Sequence, residues 1–434
     1  MATNTPTSIS DPFARSTELW DNAVRFMPAG VPTPNAYQEP HAFFDRAQGQ
    51  YLYDIDGNRY LDMKAGNSAT PLGNNPPEVR QALEERLAKG WCLSGQAGSE
   101  TVELAEEICR RVPSVESVTM GDSGSRVTHY AVRLARAFTG REKFAKMVGG
   151  FHGSWDGALY GMPSRYLVDP KAVVPPPGTS LSTRDDVVLL PYNKLEECNR
   201  LIEESAADLG SVILEPVMGE GYIPPLPGFL EGLRKTCDKH GVVLIFDEMI
   251  TLGLAPGGAQ EIWGVVPDLT TMGKVVGGGL PIGLVGGRRE IMELADPRRG
   301  SVVPNGHTFY AHPMSVAAGL AQLRLMTNDV YERLHERGDR VRAGVRKIAT
   351  EVGVDLQVTG VGHLFHLHWT AEEVVDYDAH YGCDRERMAF FAEFLFKRGY
   401  VSALGQRFHL STPMTDDDLD GFLDAVRDSA IAVK

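Results

Sequence analysis

The stretch VVLIFDEM at residues 242–249 decides the fold, because five apolar residues run without interruption into Asp247 and Glu248. Strands of a parallel sheet are buried on both faces, so they lack the polar alternation of a half-exposed strand. Short apolar runs of the same kind recur in the central part of the chain, at residues 115–121, 143–149, 187–192, 211–217 and 269–274. Helical spacing of apolar residues fills the intervals, as at 126–138 and 227–241. This alternation predicts an α/β fold with a mostly parallel sheet and helices on both of its faces.

The two ends of the chain show patterns that differ from the centre. Residues 51–63 (YLYDIDGNRYLDM) alternate around an Asp-Gly turn, which predicts a hairpin. After about residue 325, long amphipathic helices surround a short strand section near residues 358–369. We therefore expect an α+β unit beside the central domain. The predicted division is an N-terminal segment at 1–70 that is part of a small domain, a large domain at 71–325, and a C-terminal small domain at 326–434.

Charge and cysteine content narrow the class of protein. The chain has 434 residues, and 43 Lys and Arg against 57 Asp and Glu give a net charge of −14. Such a field repels phosphate backbones and anionic lipid, so we expect neither nucleic acid nor a membrane as a partner. The five cysteines are widely spaced and form no Cys-x-x-Cys pair, which is typical of reduced proteins. We expect a cytoplasmic protein of enzyme size without a signal peptide or a membrane span.

Polar residues cluster where the predicted strands end, and ligands bind at this edge in open α/β sheets. The segment GDSGSRVTHYAVRLAR at 121–136 leads from a strand through Gly121 and Gly124 directly into a helix. Free amides at a helix N-terminus attract anions, so Ser123, Gly124 and Ser125 are candidates for a phosphate cradle. A helix start capped by serine, with no ligand, is the commoner use of such a sequence. The motif alone does not decide between the two interpretations.

Three further strand ends carry reactive or flat side chains. Asp247 follows a buried strand, where a carboxylate either holds a cationic group of a ligand or caps the next loop. Lys274 shortly precedes the glycines at 277–279, which favours a reactive lysine over an ordinary surface lysine. A desolvated lysine amine can form a Schiff base. Glu215 and Phe151 follow two other predicted strands. Taken singly, Glu215 could equally be an acid in a loop and Phe151 an aromatic residue of the core, with no ligand bound to either.

Together these residues resemble a pyridoxal phosphate site, which needs a phosphate cradle, a stacking aromatic, an acid for the ring nitrogen and a lysine. Their order and spacing resemble the class III aminotransferase family of fold type I, in its subgroup of glutamate-1-semialdehyde 2,1-aminomutase and β-amino-acid aminotransferases. The most specific motifs are DLTTMGKVVGGGLPIG (268–283) and PGGAQEIWGVVPDL (256–269). The resemblance covers most of the chain. It implies a large pyridoxal phosphate-binding domain around a mostly parallel seven-stranded sheet, with a smaller α+β domain from the N- and C-terminal segments.

The resemblance also implies roles for individual residues. Lys274 would form the Schiff base with the cofactor aldehyde, and Asp247 would pair with the pyridine nitrogen. The other cofactor contacts that it implies are Ser123, Gly124, Ser125, Phe151, Met249, Glu215 and Thr308. Of these, Phe151 and Met249 would lie on opposite faces of the ring, and Thr308 would reach the phosphate of the neighbouring subunit. That last role implies a homodimer whose active sites contain residues of both chains.

Departures from the family's pattern concern the substrate. The aminomutases have an arginine for the substrate carboxylate shortly after the segment that matches residues 27–31 (MPAGV), whereas residues 32–37 here are PTPNAY. Arg126 and Arg407 are the candidate replacements, since an arginine binds a carboxylate through two parallel hydrogen bonds. Glu220 stands where the aminomutases have an asparagine, and it is the third candidate for substrate contact.

These departures favour an aminotransferase, which moves an amino group between a small-molecule amino donor and a keto acceptor through a Schiff base at Lys274. The predicted donor is an amino acid, with β-amino acids included. An aminomutase or racemase on the same cofactor is the alternative, because all of these enzymes share the cofactor residues. A catalytically silent protein on this fold is disfavoured by the presence of both Lys274 and Asp247.

Overall fold

A computed structural model describes residues 11–33, 36–162, 175–300, 302–403 and 406–434, and the structural statements below concern these residues. The strands are β1 (Phe44–Gln48), β2 (Tyr51–Asp54), β3 (Arg59–Asp62), β4 (Ser117–Gly121), β5 (Lys143–Met147), β6 (Val187–Leu190), β7 (Leu209–Leu214), β8 (Val243–Asp247), β9 (Leu269–Gly273), β10 (Gly283–Gly287), β11 (Leu356–Val361), β12 (Leu364–Trp369), β13 (Tyr400–Val401) and β14 (Arg407–His409). The α-helices are α1 (Ala14–Ala23), α2 (Ala65–Ser68), α3 (Pro77–Ala88), α4 (Ser99–Arg111), α5 (Gly124–Thr139), α6 (Leu195–Ser205), α7 (Phe229–His240), α8 (Ala259–Trp263), α9 (Arg289–Met292), α10 (Pro313–Leu325), α11 (Asn328–Val352), α12 (Tyr377–Tyr381), α13 (Arg385–Lys397) and α14 (Asp416–Val433).

A seven-stranded sheet forms the centre of the fold, in the order β4-β10-β9-β8-β7-β5-β6. The pairs among β6, β5, β7, β8 and β9 are parallel, and β10 is antiparallel to both of its neighbours. Every residue of β7, β8 and β9 is buried, as the unbroken apolar runs predict. This confirms the α/β prediction and the flanked, mostly parallel sheet.

The six apolar runs of the central region correspond to β4 through β9, but β10 is not among them. Its sequence is GLVGG, and glycine weakens a strand, so the local sequence carries little strand signal. The glycines are needed for close packing: a Cβ on Gly287 would lie 2.2 Å from the Asp268 carbonyl oxygen, and one on Gly283 would lie 2.4 Å from that of Ser123. Close packing with neighbouring segments therefore determines the sequence of β10, even though glycine has a low propensity for strands.

Two smaller sheets come from the ends of the chain. The hairpin predicted at 51–63 is present as β2 and β3, and β13 from near the C-terminus adds to β3 in parallel. The second sheet is antiparallel, in the order β11-β12-β14. Its apolar face packs on α11, α13 and α14 around Phe365, Phe408 and Phe422, and Leu61 and Met63 from the N-terminal segment join this core. The N- and C-terminal segments thus build the smaller α+β unit together.

Helix α5 begins three residues after β4 ends, so its N-terminus lies at the carboxyl edge of the large sheet. The helix is held there by a buried apolar face that includes Val127, Val132 and Leu134 and packs against the sheet. No helix among the described residues is long and apolar enough to cross a membrane.

Candidate active site

The carboxyl edge of the large sheet opens into a cavity of about 530 Å³. Successive β-strands deliver the residues of one side of it, because each chain segment turns into a loop or helix as its strand ends. We call these residues the cofactor wall: Ser123, Gly124, Ser125, Phe151, Glu215, Asp247, Met249 and Lys274. Other parts of the chain complete the lining, and we call three of the charged residues there the substrate wall: Lys64, Glu220 and Arg407.

Lys274 follows the last residue of β9 and lines the cavity. Its φ of 49° is in the left-handed region, which a non-glycine residue adopts only when the surroundings hold it there. Burial lowers the pKa of the Lys274 ammonium to about 8, against the opposing effect of the Asp247 and Glu215 carboxylates, and Arg407 lowers it further. The side chain can therefore gain and lose a proton near neutral pH.

Asp247 is the last residue of β8 and is almost fully buried. His152 Nδ1 donates to its Oδ2 at 2.7 Å, and Oδ1 accepts from Thr271 Oγ1 at 3.1 Å and from the Met249 amide at 3.3 Å. Such contacts fix the direction of the carboxylate. They also explain the placement of His152 directly after Phe151, since one loop supplies both an aromatic surface and the group that orients the acid.

The N-terminus of α5 provides an anion cradle. Its first turn carries no acidic residue, and Ser123 precedes it in an extended conformation without a side-chain cap. The amides at this end are therefore available to a phosphate, which the helix dipole also favours. Gly124 lies against Met249, whose Sδ would be 3.1 Å from a Cβ at this position.

Glu215 lies beneath the loop that carries Phe151 and His152. It accepts a hydrogen bond from the Phe151 amide at 3.2 Å, and burial raises the pKa of its carboxyl group. The same loop is held from below by Lys146, whose Nζ donates to the carbonyls of Gly150, Ala158 and Tyr160 at 2.7–2.9 Å. Glu215 is thus built into the support of the wall, and Phe151 remains 38% exposed toward the cavity opening.

The substrate wall places two cations beside the cofactor wall. Arg407 donates from Nη1 to the Gly219 carbonyl at 3.2 Å, while its buried Nε has no hydrogen-bond partner among the described residues. Burial lowers the pKa of Lys64, with Asp62 opposing the change and Arg407 adding to it. Sequence reasoning did not find Lys64. The sequence shows only that Lys64 follows the predicted hairpin. It does not show that this end of the hairpin lies at the edge of the large sheet, which is formed by residues much later in the chain.

Two predicted contacts lie outside the cavity lining. Arg126 is exposed on α5, and its Nε lies 3.3 Å from Asp122 Oδ1. Asp122 lies just before α5, so this pairing turns the guanidinium back toward the N-terminus of the helix. Thr308 is exposed as well, beside the exposed rings of Phe309 and Tyr310.

Residues 33–394 match the sequence profile described as aminotransferase class-III. The chain belongs to the class-III aminotransferase family. It is 39% identical over 420 residues to a glutamate-1-semialdehyde 2,1-aminomutase of Methanosarcina acetivorans, which covers 95% of this chain and 97% of the relative.

Solved structures of transaminases share the fold of this class-III family member. An omega-transaminase from Sphaerobacter thermophilus has 35% identity and a TM-score of 0.90, with 96% of this chain and 97% of the other covered. A beta-phenylalanine aminotransferase from Variovorax paradoxus has 32% identity and a TM-score of 0.87, with 96% and 93% covered. A transaminase with pyridoxal phosphate bound has 29% identity and a TM-score of 0.89, with 97% and 98% covered. Pyridoxal 5'-phosphate is the cofactor that these findings indicate.

The cofactor wall of this class-III chain fits that group. The open α5 N-terminus suits the phosphate, and the oriented Asp247 carboxylate suits a protonated ring nitrogen. Lys274 offers an amine that burial shifts toward its neutral, nucleophilic form. A Cβ on Gly273 would lie 2.6 Å from Met249 Sδ, so glycine before the lysine leaves room for the Met249 side chain on the wall.

Proposed function

We propose that this chain is a pyridoxal phosphate-dependent aminotransferase that moves an amino group from an amino acid, β-amino acids included, to a keto acid. The observation that carries the proposal is Arg407 in the cavity, with a buried Nε that has no partner among the described residues. A guanidinium that lines a cavity is suited to a carboxylate, and Lys64 adds a second cationic group to the lining. A substrate with a carboxylate beside its amino group matches this arrangement.

Each residue has a defined part in this reaction. The cofactor supplies an aldehyde that accepts the amino group and a ring that withdraws electrons from the neighbouring carbon. The α5 amides would bind its phosphate, and Phe151 and Met249 would contact its ring. Asp247 keeps the ring nitrogen protonated. Lys274 Nζ takes the proton from the substrate carbon and returns it, which its pKa of about 8 permits near neutral pH.

Arg407 and Lys64 bind and orient the donor carboxylate, and the keto acid would bind through the same contact when the amino group is passed on. Glu220 lies on the same wall and is suited to discriminate against a second negative charge. We assign Arg407 rather than Arg126 to the carboxylate, because Arg407 lines the cavity whereas Arg126 does not and is paired with Asp122.

A second candidate is an aminomutase of the glutamate-1-semialdehyde type. The 39% identity to a protein of that name favours it. The absence of an arginine in residues 32–37 disfavours it, since the resemblance implies one there for the substrate carboxylate.

We further propose a homodimer in which Thr308 contacts the phosphate bound by the partner subunit. Support comes from the exposure of Thr308 and of the two aromatic residues that follow it, Phe309 and Tyr310, which are 60% and 39% exposed. Exposed aromatic side chains in sequence are typical of an interface. Light scattering of the purified protein would give the mass, and Thr308→Val would weaken cofactor binding only if the two sites are shared.

A donor panel tests the main proposal. Holoenzyme is mixed with α-amino acids, β-amino acids and amines without a carboxylate, and the cofactor's visible absorbance is followed. We expect a change with a carboxylate-bearing donor, release of one keto acid per site, and recovery on addition of pyruvate or 2-oxoglutarate. Isomerisation of glutamate-1-semialdehyde without consumption of a keto acid, together with no response to any donor, would establish the second candidate instead.

A further inference from the structure

Three buried histidines converge behind the substrate wall, outside the set of residues that the reaction uses. His366 and His368 lie on β12, and His380 lies on the short helix α12. One nitrogen of each ring lies within 4.8 Å of one nitrogen of each of the other two. All three side chains are at most 4% exposed. Three imidazoles packed this closely in the protein interior need a reason beyond packing, because each brings polar atoms that must be satisfied.

The outer hydrogen bonds determine which nitrogens carry hydrogen on the two strand histidines. His366 Nδ1 lies 2.8 Å from the Leu367 carbonyl oxygen, which can only accept, so Nδ1 donates and Nε2 keeps a free lone pair. His368 Nε2 lies 2.8 Å from Thr359 Oγ1, and the Thr359 hydroxyl donates to the Gly221 carbonyl. The Thr359 oxygen therefore accepts from His368 Nε2, which leaves His368 Nδ1 without a hydrogen.

The third ring can take up the same arrangement. His380 Nε2 lies 3.5 Å from the Glu220 carboxylate, so a hydrogen on this nitrogen would face that acid. His380 Nδ1 lies 3.3 Å from His368 Nδ1, so in the absence of an ion its N–H can donate to the bare His368 nitrogen. A metal ion would take the place of that hydrogen and bind both nitrogens. In tetrahedral zinc sites with Zn–N bonds of 2.0–2.1 Å, two ligating nitrogens are about 3.3–3.4 Å apart.

An outer acceptor on each ring is the usual pattern of metal-bound histidine. Metal-ligating imidazoles donate their second N–H to a carboxylate, a backbone carbonyl or another acceptor, which fixes the tautomer and the ring direction. Here the Leu367 carbonyl and Thr359 are acceptors for the two strand histidines, and the Glu220 carboxylate lies 3.5 Å from the outer nitrogen of His380. The Cys383 thiol also lies 3.9 Å from His368 Nδ1. Imidazole and thiol groups suit zinc and related transition metals, and not magnesium or calcium.

We propose that His366, His368 and His380 bind one divalent transition-metal ion of the zinc class. The site is structural in position: it joins β12 and α12 to the loop that carries Glu220 and Gly221. A bound ion on His380 Nδ1 would place the ring hydrogen on Nε2, which faces Glu220, and so would fix one residue of the substrate wall. The metal site stands on the geometry of the three rings and does not depend on the proposed aminotransferase reaction.

Metal content of the untagged holoenzyme is the direct test. The protein is stripped with a chelator, given a slight excess of zinc chloride, desalted over a weak chelating resin and analysed for zinc and protein. We expect one zinc per chain. Cobalt(II) loaded in the same way should show the visible d–d absorption of a tetrahedral nitrogen site, which needs no variant to interpret. A wild-type protein that retains no stoichiometric zinc and shows no such cobalt bands would overturn the proposal.

Variants separate this site from incidental binding to the five cysteines. His380→Gln should bind zinc at least about 100-fold more weakly, a larger loss than removal of an outer partner causes. His380→Cys keeps a ligand atom and should retain the metal with an added thiolate-to-cobalt charge-transfer band. His240→Gln, at the end of α7, is the matched control and should retain one zinc. Equal zinc retention by His380→Gln and wild type would place the metal elsewhere and contradict the assignment.

Discussion

The cofactor wall and the substrate wall share one cavity but are built differently. Every residue of the cofactor wall follows a strand of the large sheet or begins the helix after it, so the backbone alone brings them together. The substrate wall joins Lys64 from the end of β3, Glu220 from the loop after β7, and Arg407 from β14. The first wall is a consequence of the topology of the large sheet, whereas the second also depends on how the two ends of the chain, which supply Lys64 and Arg407, pack against that sheet.

The two walls also differ in how their charged groups are satisfied. Asp247 has partners on both carboxylate oxygens before any ligand binds. Arg407 keeps a buried donor without a partner among the described residues. A group whose partners are all supplied by the protein is preorganised for a constant ligand, whereas a cavity-lining guanidinium that the protein leaves incompletely paired can gain partners from the substrate. We therefore expect changes in the cofactor wall to affect all substrates alike and changes in the substrate wall to discriminate among them.

The largest effect is expected for Lys274→Ala, which removes the amine that takes and returns the proton. We expect kcat to fall at least ~10³-fold for every donor, because general acid–base catalysis alone contributes about 10²- to 10⁴-fold. Cofactor binding should persist through the α5 amides and Asp247, and dialysis followed by cofactor quantitation would measure it. Lys239→Ala, on the exposed surface of α7, is the matched control. A variant at position 274 with a tenth of the wild-type kcat would contradict the assignment of this lysine.

Asp247→Asn comes next. It removes the negative charge that faces the ring nitrogen and leaves the His152 N–H with a weaker acceptor. We expect kcat/KM to fall about 10²- to 10³-fold, the typical result of losing one preorganised electrostatic partner. The loss should be the same for donors with and without a carboxylate. Asp185→Asn, at an exposed position, controls for charge alone. A loss confined to one class of donor would break the proposed distinction between the walls.

The same contrast explains what the sequence reveals. Lys274 and Asp247 can be found because a buried strand that ends in a charged residue is a local signal, and ligands collect at that edge. Lys64 could not be found, because its approach to Arg407 depends on packing between residues more than 300 positions apart. The sequence misses strand β10 for a related reason. Its glycines are required by close backbone contacts with Ser123 and Asp268, and local strand propensity does not take such contacts into account.

Arg407→Gln should separate the substrates. Hydrogen bonds to charged groups contribute about 1.5–3 kcal/mol, so kcat/KM for a carboxylate-bearing donor should fall roughly 10- to 100-fold. An amine without a carboxylate should be unaffected within about threefold, since the cofactor wall is intact. Arg126→Gln is the matched comparison, and we expect little change from it because Arg126 pairs with Asp122 on the surface of α5. The reverse result, with Arg126→Gln the selective variant, would move the carboxylate site to the helix.

The smallest predicted effect concerns pH. It tests whether the protein alone, without cofactor, already lowers the pKa of Lys274. Burial lowers the pKa of Lys274 from its ordinary value of 10.5 to about 8, so the neutral amine appears at lower pH than for an exposed lysine. Only the neutral amine attacks an aldehyde, so the rate at which apoprotein captures pyridoxal phosphate should rise roughly tenfold between pH 7 and pH 9 and then level off. Stopped-flow absorbance would record it. Asp247→Asn removes a carboxylate that raises this pKa, so its midpoint should lie lower. A rate that keeps climbing beyond pH 10 in the wild type would show that burial does not prepare the amine, and the contrast between the walls would then rest on geometry alone.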